Sequence, residues 1–113
     1  MPKIRPLLVE KYDITQKIFK ELSNLESRHI LFSMINKPKR AQEISKELKI
    51  PMSSVYKRIN SLEECALIHS KADFDKKGYV VTFHQSMIKD VKISIRKFEP
   101  SISFTKNPKI KNE

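Results

Sequence analysis

The stretch KIPMSSVYKRINSLEECALI, residues 49–68, decides the fold. Val55, Ile59, Leu62 and Ala66 recur at i, i+4, i+7 and i+11, so at about 100° per residue they fall on one narrow stripe that is expected to face the core. Pro51 fits a first helical turn, because its missing N–H would have no partner inside the helix. The stretch therefore predicts a helix over about residues 51–65 that packs one face on a core.

The outward side of this helix carries short or polar groups. Ser53, Lys57 and Asn60 lie opposite the apolar stripe, and Ser54 and Tyr56 flank it. All five side chains can donate hydrogen bonds. Two structural roles stay open at this point: serines also cap helix starts, and a tyrosine can be half-buried against a neighbouring helix.

Three helical patterns precede this stretch. Each has apolar residues at helical spacing, and they cover residues 15–24, 24–36 and 41–49. Asp13 and Thr15 are both candidate N-caps for the first. The second is expected to end before Pro38, because proline disfavours helical geometry in the residue before it.

After residue 68 the apolar pattern changes to period two, which indicates strands. Two alternating runs flank DKKG, and Gly78, the only glycine in the chain, stands where a positive φ is needed. This predicts a β-hairpin, the wing, over about residues 67–84 with Lys76 and Lys77 at its tip. Helices followed by a hairpin, with a short turn between the last two helices, form the winged helix-turn-helix plan.

The segment 85–106 fits two structures. Met87, Val91 and Ile95 fit one helical face, but the segment also alternates apolar and polar residues as a hairpin turning near Glu99 and Pro100 would. Its β-branched residues favour the hairpin. The predicted class is α+β: a winged helix-turn-helix with a helical core, a β-hairpin wing and an extra C-terminal β-hairpin.

Length and composition bound the organisation. With 113 residues the chain is long enough for one domain. We expect a single domain over residues 1–106, with a core at 14–84 and an extension at 85–106, and a flexible tail over 107–113.

The charge balance points to a polyanionic partner. Lys and Arg number 23 against 13 Asp and Glu, which gives a net charge of +10. Such a charge can also serve solubility alone, so the placement of the basic residues has to decide. No apolar tract is long enough to cross a bilayer, which argues against a membrane partner.

Catalysis and metal binding have little support in the sequence. The histidines His29, His69 and His84 fall on three different elements, and one glycine cannot build a phosphate-cradling loop. A single cysteine, Cys65, excludes a disulfide framework and fits a reducing cytoplasm. We expect no enzyme activity, no metal and no cofactor.

Residues 50–68 resemble the recognition-helix segment of winged helix-turn-helix transcription regulators of the ArsR-like and TrmB-like group. The shared pattern is a proline, two small hydroxyl residues, a tyrosine, two basic residues and spaced aliphatics; it is matched by Pro51, Ser53, Ser54, Val55, Tyr56, Lys57, Arg58, Ile59, Leu62, Leu67 and Ile68. The low glycine and high lysine content is similar to archaeal members. Where these families usually have glycine before the wing, this chain has Ala66.

The resemblance implies a homodimeric regulator that places this helix in the major groove of double-stranded DNA. The implied contact residues are Arg40, Lys49, Ser53, Ser54, Tyr56, Lys57, Asn60, Lys71, Lys76 and Lys77. A winged-helix module that binds protein or RNA is the alternative. The sequence identifies no operator and no effector ligand.

Overall fold

Four helices are followed by two antiparallel hairpins. The computed structural model describes the backbone of residues 6–110 and the side chains of residues 14–110. The helices are α1 (Pro6–Leu22), α2 (Leu25–Phe32), α3 (Ala41–Leu48) and α4 (Met52–Glu64). The strands are β1 (Ile68–Phe74), β2 (Val80–Ser86), β3 (Ile88–Arg96) and β4 (Glu99–Lys106). The predicted α+β winged helix-turn-helix is confirmed, and the segment after the wing forms strands.

The first helix starts earlier than the sequence predicted. α1 already includes Asp13 and Thr15, so neither residue caps it. Pro6 is tolerated at the first position because an N–H there has no intrahelical partner. α1 also packs against β4, a contact between segments about 80 residues apart that local capping signals cannot report.

The second helix is shorter than the sequence predicted. The Asn24 side chain caps α2 by accepting a hydrogen bond from the Ser27 N–H at 2.9 Å. The helix stops at Phe32, well before Pro38, and the chain then turns so that Met34 is fully buried without being helical. The predicted end at residue 36 was wrong because burial of Met34 imitated a continuing helical stripe.

The hydrophobic core joins all four helices to the base of the wing. Its buried members are Leu22, Ile30, Leu31, Met34, Ala41, Ile44, Val55, Ile59, Leu62, Leu67, Ile68 and Ile88. The three stripe residues of α4 are at most 1% exposed, as the spacing predicted. Burying each such aliphatic side chain contributes about 1.5–3 kcal/mol. Their burial therefore fixes which face of α4 points outward.

The exit from α4 contains a strained alanine. Ala66 has φ 59°, in the left-handed region, and its N–H donates to Glu63 O at 2.9 Å while the Leu67 N–H donates to Leu62 O at 3.0 Å. These two bonds form the Schellman motif, in which glycine usually takes the left-handed position. Ala66 itself is exposed, so its expected place in the buried stripe was wrong.

The wing is a regular two-stranded hairpin tied to the helical core at its base. β1 and β2 pair from Ile68 opposite Ser86 to Phe74 opposite Val80. Near the base, Lys39 and His84 exchange two backbone hydrogen bonds of 2.8 Å, which adds a short third strand segment. This bridge joins the α2–α3 connection to the wing.

The C-terminal hairpin is amphipathic in its register. Val91 pairs with Phe104, and Ile93 with Ile102, so the apolar residues of both strands share one face. The turn lies at Lys97 and Phe98, not at the predicted Glu99 and Pro100. Lys97 has φ 61°, the positive value that a two-residue hairpin turn needs.

Ordered structure continues past the predicted domain end. Asn107 is only 4% exposed, and its side-chain N–H groups donate to Ile35 O and Ser86 O, both at 2.8 Å. Asn107 is held in place because its amide satisfies two carbonyls, whereas the flexible tail over 107–113 stays a prediction. Residues 111–113 lie outside the described residues. Among the described helices, none has the length and apolar character needed to cross a bilayer.

Candidate nucleic-acid interface

A tight turn sets α3 and α4 at a fixed angle. Only residues 49–51 separate the two helices. Lys49 has φ 57°, the Ile50 N–H donates to Ser45 O at 3.1 Å, and the Ser45 hydroxyl donates back to Ile50 O at 2.6 Å. These bonds close the end of α3 and direct the chain straight into α4.

The outward face of α4 is polar and largely exposed to solvent. Ser53, Lys57 and Asn60 are exposed, Tyr56 is 50% exposed, and Ser54 is half-buried. Among the residues that the structure describes, none of these five side chains has a hydrogen-bond or ion-pair partner. Pro51 is the N-cap of α4 and makes no side-chain cap bond, so the capping role left open for the serines is not observed.

An arginine on α4 anchors this helix to α1 and α2. Arg58 is 19% exposed; its Nη1 lies 3.6 Å from Glu21 Oε2 and its Nε 3.7 Å from Glu26 Oε1. Glu21 also accepts a hydrogen bond of 2.5 Å from the buried Ser27 hydroxyl. Arg58 thus orients the helix, and the sequence signalled it only by its place at the margin of the buried stripe.

The predicted basic contact residues lie on three elements next to α4 in the chain or in the fold. Arg40 is the N-cap residue of α3, where its guanidinium donates to Gln42 Oε1 at 2.8 Å, and Lys49 is exposed in the turn. Lys71 is exposed on β1, and Lys76 and Lys77 are exposed at the turn of the wing. The structure thus places these five cations on three elements: Arg40 at the start of α3, Lys49 in the α3–α4 turn, and Lys71, Lys76 and Lys77 on the wing.

Lys39, in the α2–α3 connection beside Arg40, does not belong to this set. The ammonium of Lys39 pairs with Glu47 Oε2 at 2.6 Å, and the Lys39 side chain is only 12% exposed. Its backbone is engaged by His84 as well. Lys39 therefore serves the fold, a role that its sequence position beside Arg40 does not reveal.

A chain of two hydrogen bonds links the wing to the end of α4. The Ser70 hydroxyl donates to Glu63 Oε2 at 2.8 Å and lies 2.7 Å from His84 Nδ1. Because that hydroxyl has one proton, it accepts from the Nδ1–H of His84. Burial lowers the pKa of His84 below its ordinary value, although the nearby Glu63 acts in the opposite direction. Through Ser70, His84 on β2 is thus connected to Glu63 of α4.

The ligand-type side chains of the described residues are dispersed. They contain no group of three or more His, Cys, Asp or Glu side chains arranged to hold a metal ion. Cys65 is partly buried against the core, and burial raises the pKa of its thiol. A protonated thiol of this kind is a poor nucleophile and a poor metal ligand.

A helix-turn-helix whose second helix exposes a polar face, followed by a two-stranded wing, defines the winged helix-turn-helix class. The family model described as sugar-specific transcriptional regulator TrmB matches residues 17–84, well over half of the chain. The protein belongs to the TrmB family of DNA-binding transcription regulators, which confirms the resemblance seen in residues 50–68. The family is one of regulators, not of enzymes. No curated protein matches the chain significantly.

Proposed function

We propose that the protein is a sequence-specific regulator that binds double-stranded DNA with α4 in the major groove and the wing, about residues 67–84, on the backbone. The observation that carries this is the two-sidedness of α4. Val55, Ile59 and Leu62 are buried, so the opposite face with Lys57 and Asn60 has no role inside the fold. A major groove admits a helix of this size and shows a distinct donor and acceptor pattern for each base pair.

The polar residues of α4 divide into two roles in this proposal. Lys57 donates to guanine O6 or N7, and Asn60 reads a base edge one turn further along. The small hydroxyls of Ser53 and Ser54 let the helix start approach closely, and Tyr56 reaches a phosphate with its hydroxyl. Base contacts specify the sequence and phosphate contacts fix the register.

The flanking cations neutralise phosphates on both sides of the groove. Arg40 acts from the start of α3, Lys49 acts from the α3–α4 turn, and Lys71, Lys76 and Lys77 act from the wing. With about 6–10 phosphate contacts, log affinity falls with log salt by about 0.9 per contact.

We further propose that the protein acts as a homodimer in the cytoplasm. Ile14 on α1 and Leu25 on α2 are about 60% exposed, and Ile95 on the C-terminal hairpin is similarly exposed. A second copy would cover this apolar surface and place two recognition helices on successive major grooves. Sedimentation that finds only monomer at tens of micromolar, with and without DNA, would contradict the dimer.

The experiment begins with selection of bound sites from random duplex DNA, followed by affinity measurements against salt. Lys57→Ala should weaken the selected site by about 1–3 kcal/mol and random DNA little. Lys77→Ala should weaken both alike and lower the salt slope by about one. Lys20→Ala, an exposed lysine on α1 outside the proposed contact elements, is the matched control and should change neither.

An unchanged ratio of selected-site to random-site affinity in a normally melting Lys57→Ala protein would refute the recognition-helix assignment. Stronger competition by structured RNA than by duplex DNA would favour an RNA-binding module instead.

A further inference from the structure

The tip of the wing exposes large apolar side chains that the fold does not use. Phe74 and Tyr79 are each 67% exposed and Val80 is 68% exposed, all within seven residues of one another. Phe74 and Val80 are directly opposite each other at the last pair of the hairpin. A single exposed apolar residue is common on proteins, but three at one hairpin tip indicate a contact surface.

The turn that presents these side chains is closed by its own hydrogen bonds. One Asp75 carboxylate oxygen accepts from the backbone N–H groups of Lys77 and Tyr79, both at 2.9 Å. The Asp75 N–H donates to Tyr79 O at 2.9 Å, and Gly78, at φ 85°, donates to Asp75 O at 3.0 Å. A turn held at four points presents its side chains with little ordering left to do on binding.

Charge identifies the kind of partner. Lys76 and Lys77 lie in the same turn, and the carboxylates of Asp73 and Asp75 beside them each accept backbone N–H groups through one oxygen. The chain as a whole carries +10. Cations flanked by aromatic side chains, as Lys76 and Lys77 are by Phe74 and Tyr79, fit a polyanion that also offers apolar surface, and stacked base pairs between two phosphate chains have both properties.

The base of the wing connects this tip to the recognition helix. Ser70 on β1 bonds Glu63 of α4, and the Met87 N–H donates to Leu67 O at 2.9 Å just before β1. When α4 lies in a groove, the wing tip is therefore held beside the same duplex.

We propose that Phe74, Tyr79 and Val80 form an apolar wedge that inserts into the minor groove of bound duplex DNA and partly unstacks one base step. This rests on the proposed DNA binding and adds to it a second source of specificity. Pyrimidine–purine steps such as TA and CA unstack most easily, so sites with such a step under the wing are preferred although no side chain reads those bases.

The test uses the absence of tryptophan from the chain. Phe74→Trp gives a protein with one indole, at the wing tip. We expect its fluorescence to be quenched by the bases and shielded from acrylamide when selected duplex DNA is added. A 2-aminopurine placed at the step under the wing should brighten at the same time, because it loses its stacking neighbour.

Matched variants separate the wedge from phosphate binding. Phe74→Ala should lose the 2-aminopurine signal and about tenfold in affinity for a TA-containing site, since base–aromatic stacking is worth on the order of a factor of ten. Lys77→Ala should lose affinity but keep the 2-aminopurine signal. Equal preference for TA and GC steps by the unmodified protein would overturn the proposal.

Other outcomes identify other occupants and also overturn the wedge. An indole that stays open to acrylamide on a tightly bound duplex leaves the proposed DNA binding intact and removes the wedge alone. A blue shift on anionic phosphatidylserine vesicles, with no response to DNA, would make the tip a membrane contact. A shift that depends only on protein concentration would make it a contact between two copies.

Discussion

Replacing Ala66 by glycine should stabilise the protein. Left-handed geometry costs a residue with a Cβ roughly 1–2 kcal/mol, and Ala66 adopts it at φ 59°. Glycine relieves this strain, but its larger conformational entropy in the unfolded chain offsets roughly 0.5–1 kcal/mol of the gain. The alanine methyl is exposed, so no buried contact is lost. The net gain for Ala66→Gly is therefore about 0.5–1 kcal/mol, or about 2–6 °C in Tm for a chain of this length.

The assay is thermal and urea unfolding followed by circular dichroism, with Ala72→Gly as the matched control. Ala72 is equally exposed but lies in β1 with extended backbone, so the same substitution there should cost about 0.5–1 kcal/mol. The opposite signs of the two changes are the expected result. If Ala66→Gly lowers Tm as much as Ala72→Gly does, the left-handed strain at the helix exit is not present in solution.

Three further outcomes concern stability. Burial lowers the pKa of His84 in the folded protein, so the unfolded chain takes up this proton at a higher pH than the folded protein does. The urea midpoint should therefore be constant above about pH 6.5 and fall as the pH drops below that value. His84→Gln should make this fall smaller. Asn24→Ala removes the cap on the Ser27 N–H and should lower the free energy of unfolding in urea by about 1 kcal/mol. Asn60→Ala, which replaces an exposed asparagine that caps no helix, is the control and should change that free energy little. Ile59→Ala should cost about 2–5 kcal/mol by the same measurement, and a loss below 1 kcal/mol would mean that this face of α4 is not packed.

Local pattern was sufficient where one element meets both the core and the solvent. The i, i+4, i+7 spacing of Val55, Ile59 and Leu62 fixed the helix, its buried face and its outward face, because burial of an amphipathic helix leaves one rotation available. Gly78 marked the wing turn for the same kind of reason, since its positive φ is a property of one residue.

Contacts between distant segments could not be predicted from the sequence. α1 runs back to Pro6 and packs along β4, the amide of Asn107 reaches Ile35, and Arg58 finds Glu21 on another helix. Each of these contacts depends on the order in which the elements pack, and a polar side chain carries no local signal of the partner that it will meet.

The sequence by itself determined the class of the protein, the helix α4 with its buried and outward faces, and the positive charge of the chain, because periodicity and composition are local quantities. Only the tertiary structure decided which charges are exposed and unpaired, since Lys57 has no partner among the described residues while Lys39 pairs with Glu47. It also decided that Ala66 bears left-handed geometry: the chain must leave α4 in the one direction that buries Leu67 against the core, and packing of that residue outweighs about 1 kcal/mol of backbone strain.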